Sequence, residues 1–114
     1  MARVLIAEPY PEVRELLSHI LTRLGHETVL QSSGNAPRGI DLLLAEPASP
    51  GTLELAQSLR AQRPELPIVV VSFLPQPATW TALAPAAYVL KPFTVVELEA
   101  AVESALVTRR STAA

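Results

Sequence analysis

Several residue types and patterns are missing from this sequence, and each absence excludes a class of protein. There is no cysteine, which excludes disulfides, thiolate metal sites and cysteine nucleophiles. No apolar run approaches the roughly 20 residues of a membrane span, and the first residues lack the layout of a signal peptide. No stretch is strongly basic and the formal net charge is −2, so we expect neither a membrane protein nor direct nucleic-acid binding by this chain. The expected location is the cytoplasm.

Lysine and aspartate are nearly absent. Eight of the nine basic residues are arginine and the single lysine is Lys91, while ten of the eleven acids are glutamate and the single aspartate is Asp41. Chemistry that requires an aspartate at any other position is therefore excluded. What remains is typical of one compact domain, because 114 residues with 49% hydrophobic and 18% charged side chains suffice for a buried core.

Short apolar runs alternate with helical patterns along the chain. Runs without polar alternation are typical of strands buried on both faces of a parallel sheet. Strands are predicted at 3–7, 27–31, 41–45, 68–72 and 87–90. Helices are predicted from the proline-containing segment 8–11 to the C-cap Gly25, at 52–62, briefly at 79–83, and at 94–108. Residues 32–40 carry turn formers without a helical period, so the helix after the second strand is predicted to be reduced or missing.

This alternation predicts an α/β fold of the flavodoxin-like type. Right-handed βαβ connections give a doubly wound, five-stranded parallel sheet, which we expect in the order 2-1-3-4-5. Residues 3–108 are predicted to form the domain, and residues 109–114 are predicted to be a C-terminal tail or the start of a linker.

Four polar residues end the strands other than the second, namely Glu8, Glu46, Ser72 and Lys91. In this topology the carboxyl ends of those strands meet in one crevice. Two carboxylates at close range repel each other unless a cation intervenes, and Lys91 is the obvious cation. Alternatively, Glu8 and Glu46 only begin helices, where a negative charge suits the positive end of the helix dipole. Both interpretations stay open on spacing alone.

Two segments carry a resemblance to a known family. Asp41-Leu-Leu-Leu-Ala-Glu46, and Tyr88-Val-Leu-Lys91-Pro92-Phe93 before the last helix, resemble the receiver domain of two-component response regulators. The resemblance covers residues 3–108. It implies that Lys91 and Ser72 stand where the family contacts phosphoryl oxygens, that Tyr88 is the aromatic residue that reports the switched state, and that the Lys91–Pro92 peptide bond is cis.

The resemblance also implies two departures from a working receiver. Glu46 stands at the position of the phosphoacceptor aspartate, and its extra methylene is expected to misplace the carboxylate for phosphoryl transfer. Glu8 and Pro9 stand at the acidic pair that helps to hold Mg²⁺, and proline supplies no ligand. We therefore expect no cofactor and no metal, with Glu8 and Glu46 as weak candidates for Mg²⁺.

The resulting prediction is a degenerate pseudo-receiver. It is expected to be a non-enzymatic signal-transduction module of a two-component or phosphorelay pathway that acts through protein–protein interaction. The alternative is a functional receiver that binds Mg²⁺ and accepts a phosphoryl group from a histidine kinase. A third, weaker hypothesis is a small-ligand site for flavin or nucleotide in the same crevice, although a glycine-rich phosphate cradle is missing.

The expected partner is a protein, an output domain or a second copy of the chain. The predicted interaction face is formed by the short helix at 79–83, which is helix 4 in the family's order, together with strand 5 and the last helix, which is helix 5. Trp80 and Tyr88 are candidate contact residues on that face, with local packing as the alternative for each. His26 is predicted to be an ordinary surface residue.

Overall fold

A computed structural model of the chain describes residues 2–31 and 37–113, with side chains as far as residue 107. Its strands are β1 (Arg3–Ala7), β2 (Glu27–Leu30), β3 (Leu42–Ala45), β4 (Ile68–Ser72) and β5 (Ala87–Leu90). Its helices are α1 (Pro11–Arg23), α2 (Thr52–Gln62), α3 (Ala78–Thr81) and α4 (Val95–Ala113).

The five strands form one parallel sheet in the order β2-β1-β3-β4-β5. This confirms the predicted α/β fold and strand order. The order reverses between β1 and β3, which lie side by side at the centre of the sheet. In an open α/β sheet, that reversal leaves a crevice outside the carboxyl ends of the strands.

Alternate residues of the central strands supply two separate core layers. In β1, Val4 and Ile6 pack with α1 and α4, while Leu5 and Ala7 pack with α2 and α3 on the other face. Every residue of β3 and β4 is buried. Burial on both faces explains why these strands read as unbroken apolar runs in the sequence.

Helix α1 ends at Arg23 with Leu24 as its C-cap, and the glycine that the sequence predicts to end it, Gly25, follows directly. Gly25 has a φ of +89°, a left-handed conformation that glycine adopts without a Cβ penalty. The amide of Gly25 donates to the carbonyl of Thr22, and the amide of His26 donates to that of Leu21. This pair of hydrogen bonds is a Schellman motif, which satisfies the last carbonyls of the helix and turns the chain into β2.

Several element bounds differ from the prediction by a few residues, among them α3 at Ala78–Thr81 and the start of β3 at Leu42, and one segment lies outside the described residues. The predicted connection at 32–40 falls partly on residues 32–36, outside the described residues, and residues 38 and 39 form a turn. β2 ends at Leu30, one residue early. α4 runs to Ala113, so residues 109–113 are helical and the helix ends five residues after its predicted end at Thr108. No glycine or proline follows Thr108, so nothing in the sequence breaks the helix there.

His26 is buried, and the prediction of a surface histidine is wrong. Its Nδ1 accepts a hydrogen bond of 3.0 Å from the amide of Ala2, and its Nε2 lies 2.9 Å from Oε1 of Glu103 on α4. Because Nδ1 is an acceptor, Nε2 carries the proton and donates to the carboxylate. His26 therefore fixes the start of β1 to α4. In the part of the chain that the structure describes, no helix is long and apolar enough to cross a membrane.

Candidate functional site at the carboxyl ends of the strands

The register of β1 and β3 places two glutamates at the same level of the sheet. Ala7 pairs with Ala45 in the parallel ladder, and the next residues along the two strands are Glu8 and Glu46. The amide of Glu46 still donates to the carbonyl of Ala7 over 2.9 Å. Both carboxylates therefore enter the crevice from adjacent central strands.

Lys91 brings its ammonium group between these carboxylates. Its backbone amide donates to the carbonyl of Ser72 over 2.8 Å, which continues the β4–β5 pairing by one residue. Its Nζ lies 2.7 Å from Oε2 of Glu8 and 3.0 Å from Oε2 of Glu46. The three side chains are only 1–2% exposed. The sequence predicts that the strand ends carrying Glu8, Glu46 and Lys91 meet in one crevice. In the structure these three side chains form one buried cluster, which we call the ionic triad.

The other oxygen of each glutamate accepts a backbone hydrogen bond. Oε1 of Glu8 accepts from the amide of Tyr10 over 3.1 Å, and Oε1 of Glu46 accepts from the amide of Ala48 over 3.0 Å. Glu8 thus combines both interpretations left open by the sequence, because it pairs with Lys91 and holds the residue that precedes α1. Glu46 lies six residues before the start of α2 and organises the turn there.

The triad consists of two carboxylates and one ammonium group, and all three side chains are shielded from solvent. Lys91 Nζ donates a hydrogen bond to Glu8, whereas Oε2 of Glu46 is within ion-pair distance but without hydrogen-bond geometry. Removing ions from water costs several kcal/mol for each ion, as an order of magnitude. The compensation here comes from one ammonium shared by two carboxylates and from two backbone amides.

Ser72 lies in the same crevice but is not part of the triad's hydrogen bonding. Its side chain is buried, and its Oγ accepts a hydrogen bond of 3.2 Å from the amide of Leu74. This contact shapes the loop that leaves β4. The loop continues through Phe73, whose ring turns back over the crevice.

Two aromatic rings cover the ammonium group of Lys91. The ring centroids of Tyr10 and Phe73 lie 5.3 Å and 5.0 Å from Nζ. The rings contact each other edge to face, with centroids 6.4 Å apart and planes at 78°. Both distances from Nζ suit a cation–π interaction. Sequence reasoning did not single out either ring, because both lie in loops, where no periodicity marks a contact.

The two candidate interaction residues lie in different environments. Trp80 on α3 is 2% exposed and belongs to the core layer under α2 and α3. Its ring therefore packs locally and is not available to a partner in this conformation. Tyr88 on β5 is half-buried against the same layer, and its hydroxyl is buried without a hydrogen-bond partner. The Lys91–Pro92 peptide bond is cis.

The oxygen atoms that would coordinate a cation are engaged by other groups. Each carboxylate of the triad has one oxygen beside the Lys91 ammonium and one on a backbone amide. Pro9, beside Glu8, has no side-chain donor. Among the described residues, no group of three or more histidine, cysteine, aspartate or glutamate side chains is arranged to hold a metal ion.

No protein-family model matches this sequence, and the comparison with curated proteins found no similar one. Solved structures do match. NtrX from Brucella abortus, in complex with ADP, superposes with a TM-score of 0.84 at 25% identity, over 97% of this chain. This chain spans only 27% of the length of NtrX.

Two further matches are single domains of about the same size. TrrA from Thermotoga maritima, a response regulator solved in complex with Mg²⁺-BeF, is 27% identical with a TM-score of 0.75, over 93% of this chain and 100% of TrrA. A CheY-like receiver domain protein from Methanospirillum hungatei JF-1 has a TM-score of 0.83 at 18% identity, over 98% of both chains. This chain therefore has the receiver-domain fold of two-component response regulators.

Proposed function

We propose that this chain is a pseudo-receiver, a signal-transduction module that is not phosphorylated and acts by binding another protein. The ionic triad is the observation that carries the proposal. In a receiver of the family, the lysine after the fifth strand is available to a phosphoryl oxygen. Here the ammonium of Lys91 is already paired with Glu8 and Glu46 in a dry crevice, which supports a site with no catalytic activity.

The acceptor position supports the same proposal. Glu46 would have to present a free carboxylate oxygen in line with a donor, because phosphoryl transfer depends on close alignment of the reacting atoms. One oxygen accepts from the amide of Ala48, and the other lies beside Lys91. Phosphorylation of Glu46 would require both contacts to be given up first.

We further infer that the crevice does not hold Mg²⁺. The ion prefers about six oxygen ligands in near-octahedral geometry. The oxygens of Glu8 and Glu46 are engaged, Pro9 adds none, and the Lys91 ammonium would repel a divalent cation placed beside it. The residues present therefore do not fit the ion that the fold family implies.

The interaction face that we propose lies on β5 and the start of α4. Receiver domains interact with proteins such as kinases and output domains, so a protein is the proposed partner. Leu90, Val95 and Val96 are exposed apolar residues on this face, and Val96 is 73% exposed. Tyr88 lies on the same strand. The buried ring of Trp80 belongs to the core layer against which Tyr88 packs and is not part of the proposed face.

A backbone-amide NMR titration tests the proposed loss of phosphorylation. Mg²⁺ is added first and beryllofluoride second, as a stand-in for the phosphoryl group. We expect no saturable shifts at Glu8, Glu46, Ser72 or Lys91. The matched control is a Pro9→Asp/Glu46→Asp variant, which returns both missing acids to the crevice.

Saturable shifts in the unmodified chain, spreading to Tyr88 and α4, would show a working receiver and overturn the proposal. Flavin or nucleotide bound to the purified protein would favour the small-ligand hypothesis.

The proposed face has its own test. If a second copy is the partner, sedimentation at increasing concentration shows dimers that Val96→Asp abolishes. Leu16→Asp on α1 is the control, because Leu16 is also an exposed apolar residue, at 45%, and is not part of the proposed face. Equal loss in both variants would contradict this face.

A further inference from the structure

We propose that Tyr10 and Phe73 form an aromatic lid that holds the Lys91 ammonium in the triad and closes the crevice to phosphoryl donors. The inference rests on the proposed function and deepens it, because the two rings add a second barrier to the one formed by the carboxylates around Lys91. It assigns these two residues a positioning role at the site.

The position of the rings supports a lid. Tyr10 follows β1 and Phe73 follows β4, so the two rings approach the crevice from separate loops and meet over its mouth. Their centroids lie within 5.3 Å of the Lys91 Nζ. The outer surfaces of the rings face solvent, with Tyr10 48% and Phe73 57% exposed, while the Lys91 side chain beneath is 2% exposed. The ammonium is therefore screened from water by the rings on one side and paired with carboxylates on the other.

The backbone contacts of the triad hold the lid in place. The amide of Tyr10 donates to Glu8, and Glu8 in turn pairs with Lys91. On the other side, the Ser72 hydroxyl accepts from the amide of Leu74, which fixes the turn that carries Phe73. A phosphoryl donor approaching the ammonium from solvent would have to displace at least one ring and its cation–π contact.

The single lysine in the chain makes the lid directly testable. Acylation of Lys91 by a small amine reagent is followed by mass spectrometry, with the N-terminal amine as an internal reference. Phe73→Ala and Tyr10→Ala are expected to raise the acylation rate of Lys91 by about tenfold or more, because a protected group reacts only through local opening. Leu74→Ala is the matched control, since Leu74 is 66% exposed beside Phe73.

The outcomes separate clearly. A faster reaction in the two lid variants, with Leu74→Ala unchanged and all chains folded by circular dichroism, supports the lid. Rates equal to that of the unmodified chain in both lid variants would overturn it, as would an equal increase in Leu74→Ala.

A second measurement distinguishes the lid from the proposed function. In the Pro9→Asp/Glu46→Asp background, adding Phe73→Ala is expected to lower the beryllofluoride concentration needed for half-saturation by about tenfold, since beryllofluoride no longer has to displace the ring. No change on removing Phe73 would overturn the lid while leaving the proposed function intact. Conversely, beryllofluoride binding by the unmodified chain would overturn the proposed function, whereas the acylation rates would still decide the lid.

Discussion

Removing the positive charge of the ionic triad should destabilise the protein strongly. The perturbation is Lys91→Met, which keeps an unbranched side chain of similar length and leaves Glu8 and Glu46 facing each other. Their Oε2 atoms lie 2.7 and 3.0 Å from the same nitrogen. The two oxygens are therefore at most about 5.7 Å apart, close enough for strong repulsion once the ammonium is gone.

The magnitude follows from these distances. At an effective dielectric constant of about 20, each contact of Lys91 is worth about 6 kcal/mol, and the two carboxylates repel by at least about 3 kcal/mol. The desolvation of three ions offsets most of this attraction. Breaking a buried ion pair by removing one partner typically costs about 3–5 kcal/mol. We expect the same range for Lys91→Met, which is a large part of the roughly 5–15 kcal/mol that stabilises a domain.

Urea unfolding at neutral pH, followed by circular dichroism, measures the change. The control is Glu27→Gln, which breaks the exposed pair between Arg3 Nε and Glu27 Oε1, 3.4 Å apart with side chains 37% and 53% exposed. Exposed ion pairs contribute about 0–1 kcal/mol, so Glu27→Gln should leave the free energy of unfolding nearly unchanged. Replacing all three members by uncharged residues, as Glu8→Gln/Glu46→Gln/Lys91→Met, should recover much of the loss, since no unpaired charge remains buried and each glutamine oxygen can still accept from the amide of Tyr10 or Ala48. A loss below about 1 kcal/mol for Lys91→Met would refute the reasoning, because it would mean that the triad is hydrated.

Three further substitutions test separate parts of the structure by the same unfolding assay. Glu46→Asp should destabilise by about 1–3 kcal/mol, because the shorter side chain cannot pair with Lys91 and accept from Ala48 together; unchanged stability would contradict the observed geometry. Tyr88→Phe should stabilise by about 1 kcal/mol, since it removes a buried hydroxyl that has no partner; a loss of that size would reveal a hydrogen bond. Gly25→Ala should cost about 1–2 kcal/mol from its φ of +89° alone, because an added Cβ would meet no atom within 4 Å; a silent substitution would mean that the cap rearranges freely.

The fold and the triad were predictable from sequence because both depend on the backbone. Apolar runs and helical periods locate the strands and helices, and the connection rules then leave few possible orders for the sheet. In a parallel sheet, residues that follow paired positions must emerge at the same edge. Ala7 and Ala45 pair, so Glu8 and Glu46 are brought together whatever their side chains do.

The burial of His26, which the sequence did not predict, depends on partners that are distant in the chain. His26 bonds to Ala2 and Glu103, 24 and 77 residues away, so nothing near it in the chain indicates burial. The sequence left Trp80 open between local packing and a contact role, because it lies in a helix of four residues and a single turn is too short for its apolar positions to define a face. The extension of α4 beyond Thr108 was missed because the apolar pattern ends before the helix does.

The aromatic lid is the part of the site that the sequence could not predict. Tyr10 and Phe73 lie outside the regular elements, and their meeting depends on side-chain rotamers that no sequence pattern encodes. Under the proposed function, three features of the crevice each disfavour phosphorylation. They are an acid at the acceptor position that is one methylene too long, a proline where a metal ligand would be, and two rings over the ammonium. Each alone would only weaken a receiver. Under this proposal, displacing a ring exposes the Lys91 ammonium to water. Water then weakens the ion pairs that connect the ends of β1, β3 and β5, so the stability of the buried charges depends on the two rings at the surface.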